Sequence, residues 1–302
     1  MMKSAMKGSI SAITLVTLAA CGVGGGGGGS SSSANTGFTS WSESVGSTVT
    51  VDGVAQTASY TSNSSGDVTS HAISDEQTTA QAKITTNDAG TITSLTLSTP
   101  EQDSVKFNTS NAQSAGIHGI TAAESNDGRN MVVAANPLDL GWDYQSFGVW
   151  LTGYGTGAGT VGVASIGAAT PAAAIPASGS ATYTGYASGV YVDSIGQSFL
   201  ALANMTANAD FAARNVQFAT SNTEVGNLNT STTMSKPDLN LSGTLSYAQG
   251  QNKIAGNIQS VGGLSGKAAG QFYGPKAEEI GGTFLVRGAG NAGYMGAFGG
   301  KR

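Results

Sequence analysis

Residues 272–284 read FYGPKAEEIGGTF and lie at the centre of the stretch 264–302. Apolar, strand-like runs stand on both sides of a short polar connection. Pro275 fixes φ and donates no amide hydrogen, so we place it in that connection. Gly281 and Gly282 carry no Cβ, which lets another backbone approach or a strand bend, as small barrels require at their corners. The stretch therefore predicts a closing corner of a β-barrel.

The residues that precede this corner alternate between apolar and polar types. Every second residue from Phe199 to Phe211 is apolar, and Leu239 to Tyr247 repeats the arrangement. A period of two predicts strands with one buried face. Similar runs occur eight times, at 182–192, 197–210, 212–219, 239–247, 252–260, 264–273, 280–287 and 293–299. Eight strands close a barrel whose interior is just filled by side chains. A membrane-spanning barrel would exchange the two faces, and we favour the soluble, filled form.

The region before residue 167 also lacks amphipathic helical runs and is rich in Gly, Ser, Thr and Asn, which indicates an all-β chain. Strand candidates are 48–52, 91–98, 104–108, 131–135 and 142–154. In the last of these, one face carries Trp142, Tyr144 and Trp150, and the other carries Phe147, Val149 and Leu151. Such aromatic density predicts a strand that is covered on both sides. The Ala- and Pro-rich segment 167–181 predicts a semi-stiff hinge and a domain boundary.

The N-terminus predicts export and lipid attachment. Lys3 and Lys7 precede a short apolar run, and Leu18-Ala19-Ala20-Cys21 has the form of a lipoprotein cleavage site. Cys21 is the only cysteine, so no disulfide can form within the chain. Residues 22–35 are Gly and Ser rich and predict a flexible tether. Removal of 1–20 takes the formal charge from −5 to −7, which argues against nucleic acid as a partner.

No pattern in the sequence predicts catalysis, and we expect a protein that is not an enzyme. Residues 157–162 match the letters of a dinucleotide fingerprint, but no acidic residue follows at the required offset, so we interpret them as a glycine-rich loop. Glu278 and Glu279 are adjacent and would point apart, which predicts a solvated turn. The two histidines, His71 and His118, are not in a ligand-spaced cluster, and structural zinc is not expected.

Two motifs resemble a known family. FYGPKAEEIGGTF, followed by the terminal GAFGGKR of 296–302, resembles the last strands of the transferrin-binding-protein-like surface lipoproteins of Gram-negative bacteria. Residues 142–150 resemble the aromatic YxYxxxGxW strand of their handle domains, with Trp142 where tyrosine is expected. The resemblance implies a signal peptide over 1–20, a lipidated tether over 21–37, a β-rich handle domain over 38–172 and an eight-stranded antiparallel barrel with a filled interior over 173–302.

The resemblance also implies a function. We expect a palmitoylated lipoprotein of the outer membrane, facing the cell exterior, that binds a host or environmental iron or haem carrier protein, with a TonB-dependent receptor as a further partner. The alternatives are direct haem binding, for which His118 is the candidate axial ligand, and immune evasion or adhesion without a nutrient role. Predicted long loops at 109–128, 152–160 and 220–237 would hold the partner. We expect His118, Arg129 and Tyr154 to contribute to that binding.

Overall fold

The computed structural model describes residues 38–74, 77–100, 102–108, 112–117 and 119–302. In this part of the chain, regular structure consists of β-strands and three single-turn 3₁₀ helices at Ser42–Ser44, Ala172–Ala174 and Pro237–Leu239. None of these described helices is long and apolar enough to cross a membrane. The all-β fold class predicted from the sequence is confirmed.

Ten strands form the N-terminal sheet. They are β1 (Thr48–Ser62), β2 (Val68–Ile73), β3 (Thr78–Thr86), β4 (Ile92–Thr99), β5 (Gln102–Asn108), β6 (Ala112–Ile117), β7 (Ile120–Ser125), β8 (Met131–Ala135), β9 (Gln145–Thr152) and β10 (Ala158–Gly167). The order is β5-β4-β3-β1-β10-β9-β8-β7-β6, and β2 adds to β1 beyond the end of β3. The long strand β1 therefore organises this sheet, and β5 and β6 are its edges.

The sequence predicted only half of these strands. It missed β2, β3, β6, β7 and β10, whose polar positions are mostly Ser and Thr. The glycine-rich residues 157–162 are not a loop, because β10 begins at Ala158. Gly162 lies opposite Trp150, and a Cβ there would come within 1.9 Å of the indole. These glycines make room for aromatic rings on a neighbouring strand, a role that composition alone does not distinguish from a turn.

The second sheet closes into the barrel. Its strands are β11 (Ser180–Val192), β12 (Ser198–Asp210), β13 (Asn215–Asn227), β14 (Thr233–Ser235), β15 (Leu241–Ser246), β16 (Ile254–Ser260), β17 (Ser265–Tyr273), β18 (Glu279–Arg287) and β19 (Gly293–Lys301). All pairings are antiparallel, with β11 next to β19 and β12 next to β13. Without the short β14, which adds only to the end of β13, eight strands form the barrel, as predicted.

Two details of the prediction are wrong. The barrel closes where β11 pairs with β19, and the β17–β18 connection is an ordinary hairpin, so FYGPKAEEIGGTF is not the closing corner. The predicted loop 220–237 contains the second half of β13, all of β14 and a 3₁₀ turn. Its many Ser, Thr and Asn residues were mistaken for loop composition, although Thr220, Thr223 and Asn227 occupy buried strand positions.

Aromatic and small side chains together fill the barrel interior. Phe218 and Phe298 meet at 4.7 Å between ring centroids, and Phe284 and Tyr294 meet edge-on at 4.8 Å. Phe284 lies over Gly296, where a Cβ would come within 2.3 Å of the ring. The inward residues of β12 predicted from their alternation are buried. The filled interior is therefore confirmed, and the glycine at 296 makes room for one of the rings that cross the narrow lumen.

The N-terminal sheet packs against the outer face of four barrel strands, β11, β12, β18 and β19. Val190 of β11, Leu285 of β18 and Met295 of β19 share one core with Phe147, Val149 and Leu151 of β9. Strand β9 is thus covered on both sides, as predicted, because Trp150 points into a second core within the N-terminal sheet. Trp142, however, does not share the face of Trp150. The strand begins only at Gln145, and Trp142 packs beside Phe147 at 6.1 Å.

Candidate functional site

A buried carboxylate joins the N-terminal sheet to the barrel. Glu279, the first residue of β18, is 0% exposed. Its Oε1 accepts the backbone N–H of Asp143 at 2.6 Å, and its Oε2 accepts those of Tyr144 and Gln145 at 3.0 Å each. Burial raises the pKa of this carboxyl above its ordinary value, and the three N–H groups and Lys301 offset part of that rise. The prediction of a solvated turn is therefore wrong for Glu279.

Further hydrogen bonds fix the chain beside this carboxylate. The Tyr273 hydroxyl and the Ser165 hydroxyl lie 2.7 Å apart across the contact, and Thr170 donates to the Gly274 carbonyl at 2.6 Å. Ala169 forms a β-bridge with Tyr273. The first residues of the connection between β10 and β11 are thus bonded to β17, which does not fit the predicted hinge.

The side chain of Gln145 is buried in the same contact. It is 0% exposed and packs directly on Gly281 and Gly299. A Cβ at Gly281 would lie 2.9 Å from the Gln145 amide oxygen, and a Cβ at Gly299 would lie 2.3 Å from the Gln145 amide nitrogen. Both amide atoms lack a hydrogen-bond partner among the described residues. Gly281 therefore allows the close approach that its sequence context predicted, but toward the N-terminal sheet and not at a barrel corner.

At one end of the molecule, turns from both parts of the chain meet. We call this region, formed by residues 63–67, 126–130, 153–157, 193–197, 228–240, 261–264 and 288–292, the loop end. The Tyr154 hydroxyl lies 2.7 Å from the Leu228 carbonyl and 2.6 Å from Asn229 Oδ1. Asn229 in turn donates to the Ser65 carbonyl at 3.2 Å. Barrel turns and N-terminal turns are therefore hydrogen-bonded to each other at this end.

Two of the predicted partner-binding residues meet at the loop end. The Tyr154 N–H donates to the Arg129 carbonyl at 2.9 Å, so their turns are in contact. Arg129 is exposed and lies 4.0 Å from Asp127. Tyr154 is half-buried, and burial together with Glu124 raises the pKa of its hydroxyl. Its hydroxyl holds two turns together. His118 and Cys21 lie outside the described residues.

The predicted loops are shorter than expected. Strands β6 and β7 occupy much of 109–128, and β10 begins within 152–160.

Exposed apolar side chains mark the barrel side of the loop end. Among the described residues, the large hydrophobic side chains that are exposed are Ile195 at 72%, Val261 at 75%, Met234 at 47% and Val45 at 38%. The first three lie in barrel segments of the loop end, and only Val45 lies elsewhere. The sequence analysis missed them. The available signal was an apolar residue within an otherwise polar turn, as in Asp193-Ser194-Ile195-Gly196.

A cleft of about 210 Å³ lies between the N-terminal sheet and the barrel near the loop end. His71 of β2 lines it, and burial together with the nearby Arg287 lowers the pKa of the imidazole. The Tyr60 hydroxyl, also on the wall, donates to the Thr152 carbonyl at 2.8 Å, and burial raises its pKa to about 12. Cofactor pockets usually measure about 300–1,000 Å³, so the cleft is too small for haem.

Comparisons with known proteins identify the barrel. The family model described as the C-lobe and N-lobe β-barrels of transferrin-binding protein B matches residues 175–302. No curated protein matches the chain in sequence.

The solved structures that match this chain share little sequence with it. A double mutant of transferrin-binding protein B from Haemophilus parasuis Hp5 is 10% identical, with 83% of this chain and 76% of that chain covered and a TM-score of 0.44. A protein described as a surface lipoprotein is 12% identical, with 82% and 98% covered and a TM-score of 0.43. A mutant of transferrin-binding protein B from Actinobacillus pleuropneumoniae H49 is 13% identical, with 82% and 98% covered and a TM-score of 0.42. The barrel at residues 175–302 is therefore similar to the barrels of the transferrin-binding-protein-like family.

Proposed function

We propose that this protein is a surface lipoprotein of the outer membrane that binds a host or environmental carrier protein of iron or haem. The observation that carries the proposal is the family match over residues 175–302, because that family is one of binding proteins and not of enzymes. Cys21 would carry the lipid anchor, and a TonB-dependent receptor would take up the released cargo. In this proposal the signal peptide ends at residue 20, the tether at residue 37 and the handle domain at residue 172.

Within this proposal, the loop end is the surface that meets the carrier. Ile195, Met234 and Val261 expose apolar area there on turns and on the short strand β14, while the barrel strands beneath them are rigidly paired. Apolar side chains on loops of a rigid scaffold are common contact points between proteins. The Arg129 guanidinium at the same end supplies a charged contact. The Tyr154 hydroxyl stabilises this surface through its hydrogen bonds to residues 228 and 229.

Binding is tested with the chain carrying Cys21→Ser, which prevents acylation. Surface plasmon resonance measures binding to transferrin with and without iron and to haemoglobin with and without haem. We expect the protein to bind a carrier saturably and to bind the iron- or haem-loaded form of that carrier more tightly than the empty form. Equal binding of loaded and empty forms, or binding only of a complement regulator, would instead favour the immune-evasion alternative.

The surface is tested separately. A variant with Ile195→Ser, Met234→Ser and Val261→Ser is expected to weaken carrier binding at least tenfold, because truncating the few residues that dominate an interface costs about 2 kcal/mol or more each. Val45→Ser is the matched control, since it removes an exposed valine away from the loop end. If both variants bind like wild type, the carrier contacts another surface.

Lipid attachment is tested with the same Cys21→Ser change in cells. Wild type is expected in the membrane fraction with incorporated palmitate, since two or more acyl chains give stable anchoring. An equal palmitate signal in the variant would contradict acylation at Cys21.

A further inference from the structure

The cleft between the N-terminal sheet and the barrel has apolar walls on both sides. Ala58 and Val161 belong to the N-terminal sheet, while Val192, Leu285 and Met295 belong to the barrel. These side chains belong to the core between the two parts of the chain or pack against it, yet here they leave about 210 Å³ between them. The opposing walls are held in place by the Tyr154 hydrogen bonds at one side and by the shared core at the other.

The size of the cleft selects a small ligand. An apolar cavity of about 150 Å³ is large enough to bind benzene, so about 210 Å³ accepts a molecule somewhat larger than one aromatic ring. Drug-sized ligands need about 300 Å³ or more. A planar molecule with one or two fused rings would bury both of its faces against the apolar walls.

The charges around the cleft select an uncharged ligand. Among the described residues that line it, there is no Asp, Glu, Lys or Arg, so an ionic ligand would lose its hydration without a counter-charge. Arg287 lies close enough to His71 to affect its titration, which further disfavours a cationic ligand.

Beside Ser and Asn side chains, the wall of the cleft carries two tyrosine hydroxyls and one imidazole that offer acceptors to a ligand. The Tyr60 hydroxyl already donates its proton to the Thr152 carbonyl, and the Tyr154 hydroxyl donates toward residues 228–229. Both can therefore accept but not donate. A neutral His71 imidazole has one ring nitrogen that accepts and one N–H that donates. We propose that this cleft binds a small, uncharged aromatic molecule of one or two fused rings that carries a single N–H or O–H donor, with His71 as the acceptor.

Indole is the probe, and indene, which has the same shape without the N–H, is its matched partner. Calorimetric titration of the Cys21→Ser chain is expected to give one site for indole. Indene should bind about 3- to 10-fold more weakly, which corresponds to the loss of one hydrogen bond. His71→Phe keeps a planar ring and removes the acceptor, so it should weaken indole to the level of indene and leave indene unchanged.

A second variant tests the location. Ala58→Leu fills the cleft and should weaken both probes at least tenfold, whereas Ala255→Leu makes the same change at an exposed position of β16 and should have no effect. If Ala58→Leu does not fold, the comparison of indole and indene in wild type and His71→Phe decides the question alone. No binding of indole at millimolar concentration, or equal affinity for both probes in wild type and His71→Phe, overturns the proposal.

Discussion

Replacing Glu279 by glutamine should weaken the attachment of the N-terminal sheet to the barrel. The carboxylate accepts three successive backbone N–H groups in a site without solvent. A glutamine can keep its oxygen toward Tyr144 and Gln145, but its NH₂ group then faces the N–H of Asp143. That buried donor loses its acceptor, which costs about 1–3 kcal/mol. We expect about 2 kcal/mol at neutral pH.

Urea unfolding measures this cost. With an m-value of about 2–3 kcal/mol/M, the midpoint should fall by about 0.7–1 M. All three tryptophans, at 41, 142 and 150, precede the barrel, so tryptophan fluorescence reports on the N-terminal sheet, while circular dichroism reports on all strands. The fluorescence transition should move to lower urea at least as far as the dichroism transition.

The matched control is Glu278→Gln, the same change one residue away. Glu278 accepts the Lys276 N–H at 2.7 Å in a turn, and the amide oxygen of glutamine can replace that bond. We expect its free energy of unfolding to stay within about 0.5 kcal/mol of wild type. If the two variants unfold at the same urea concentration, the three hydrogen bonds of Glu279 contribute no net stability and the reasoning fails.

Two further predictions concern buried positions. Gln145→Met removes two unpartnered amide atoms at nearly constant volume and should raise the melting temperature, whereas a fall would mean that the amide is satisfied. Gly296→Ala places a methyl group against Phe284 and should lower the free energy of unfolding by about 1–3 kcal/mol. Gly226→Ala is the control, because its methyl group would meet no atom closer than 3.8 Å, and it should cost less than about 1 kcal/mol. Equal costs would show that the barrel interior can expand.

The barrel could be predicted from the sequence because its strands have one apolar and one polar face. The alternation from Phe199 to Phe211 fixes which side chains point inward, and burial follows it residue by residue. The same rule gave the start of β13 but not its end, since Thr223 and Asn227 are polar residues at buried positions. Alternation therefore predicts a strand only where the buried face is apolar.

The contact between the two parts of the chain could not be predicted in the same way. Glu279 reads as a charged turn residue, and only the three N–H groups that reach it from Asp143 to Gln145 make its burial possible. A weaker signal was present: residues 280–286 and 293–300 have almost no polar alternation, which is typical of strands that are buried on both faces. The partner that covers the second face is not encoded in that pattern.

The exposed loop-end residues and the cleft could not be predicted from the sequence either. They arise where turns far apart in the chain meet, as Tyr154 meets Leu228. No local period marks such positions. Sequence analysis proposed Arg129 and Tyr154 as contacts of a partner. The structure adds that their turns meet and that the Tyr154 hydroxyl is bonded to residues 228–229.

The closure of the barrel by β11 and β19 determines the order in which the molecule can assemble. Thr184 pairs with Lys301, so the pairing that closes the barrel joins segments more than a hundred residues apart and must wait until the last strand has been synthesised. The groups that secure the N-terminal sheet, Tyr273 and Glu279, also arrive late. The part of the chain that is made first is thus fixed in place late, and until then its apolar face is open to aggregation.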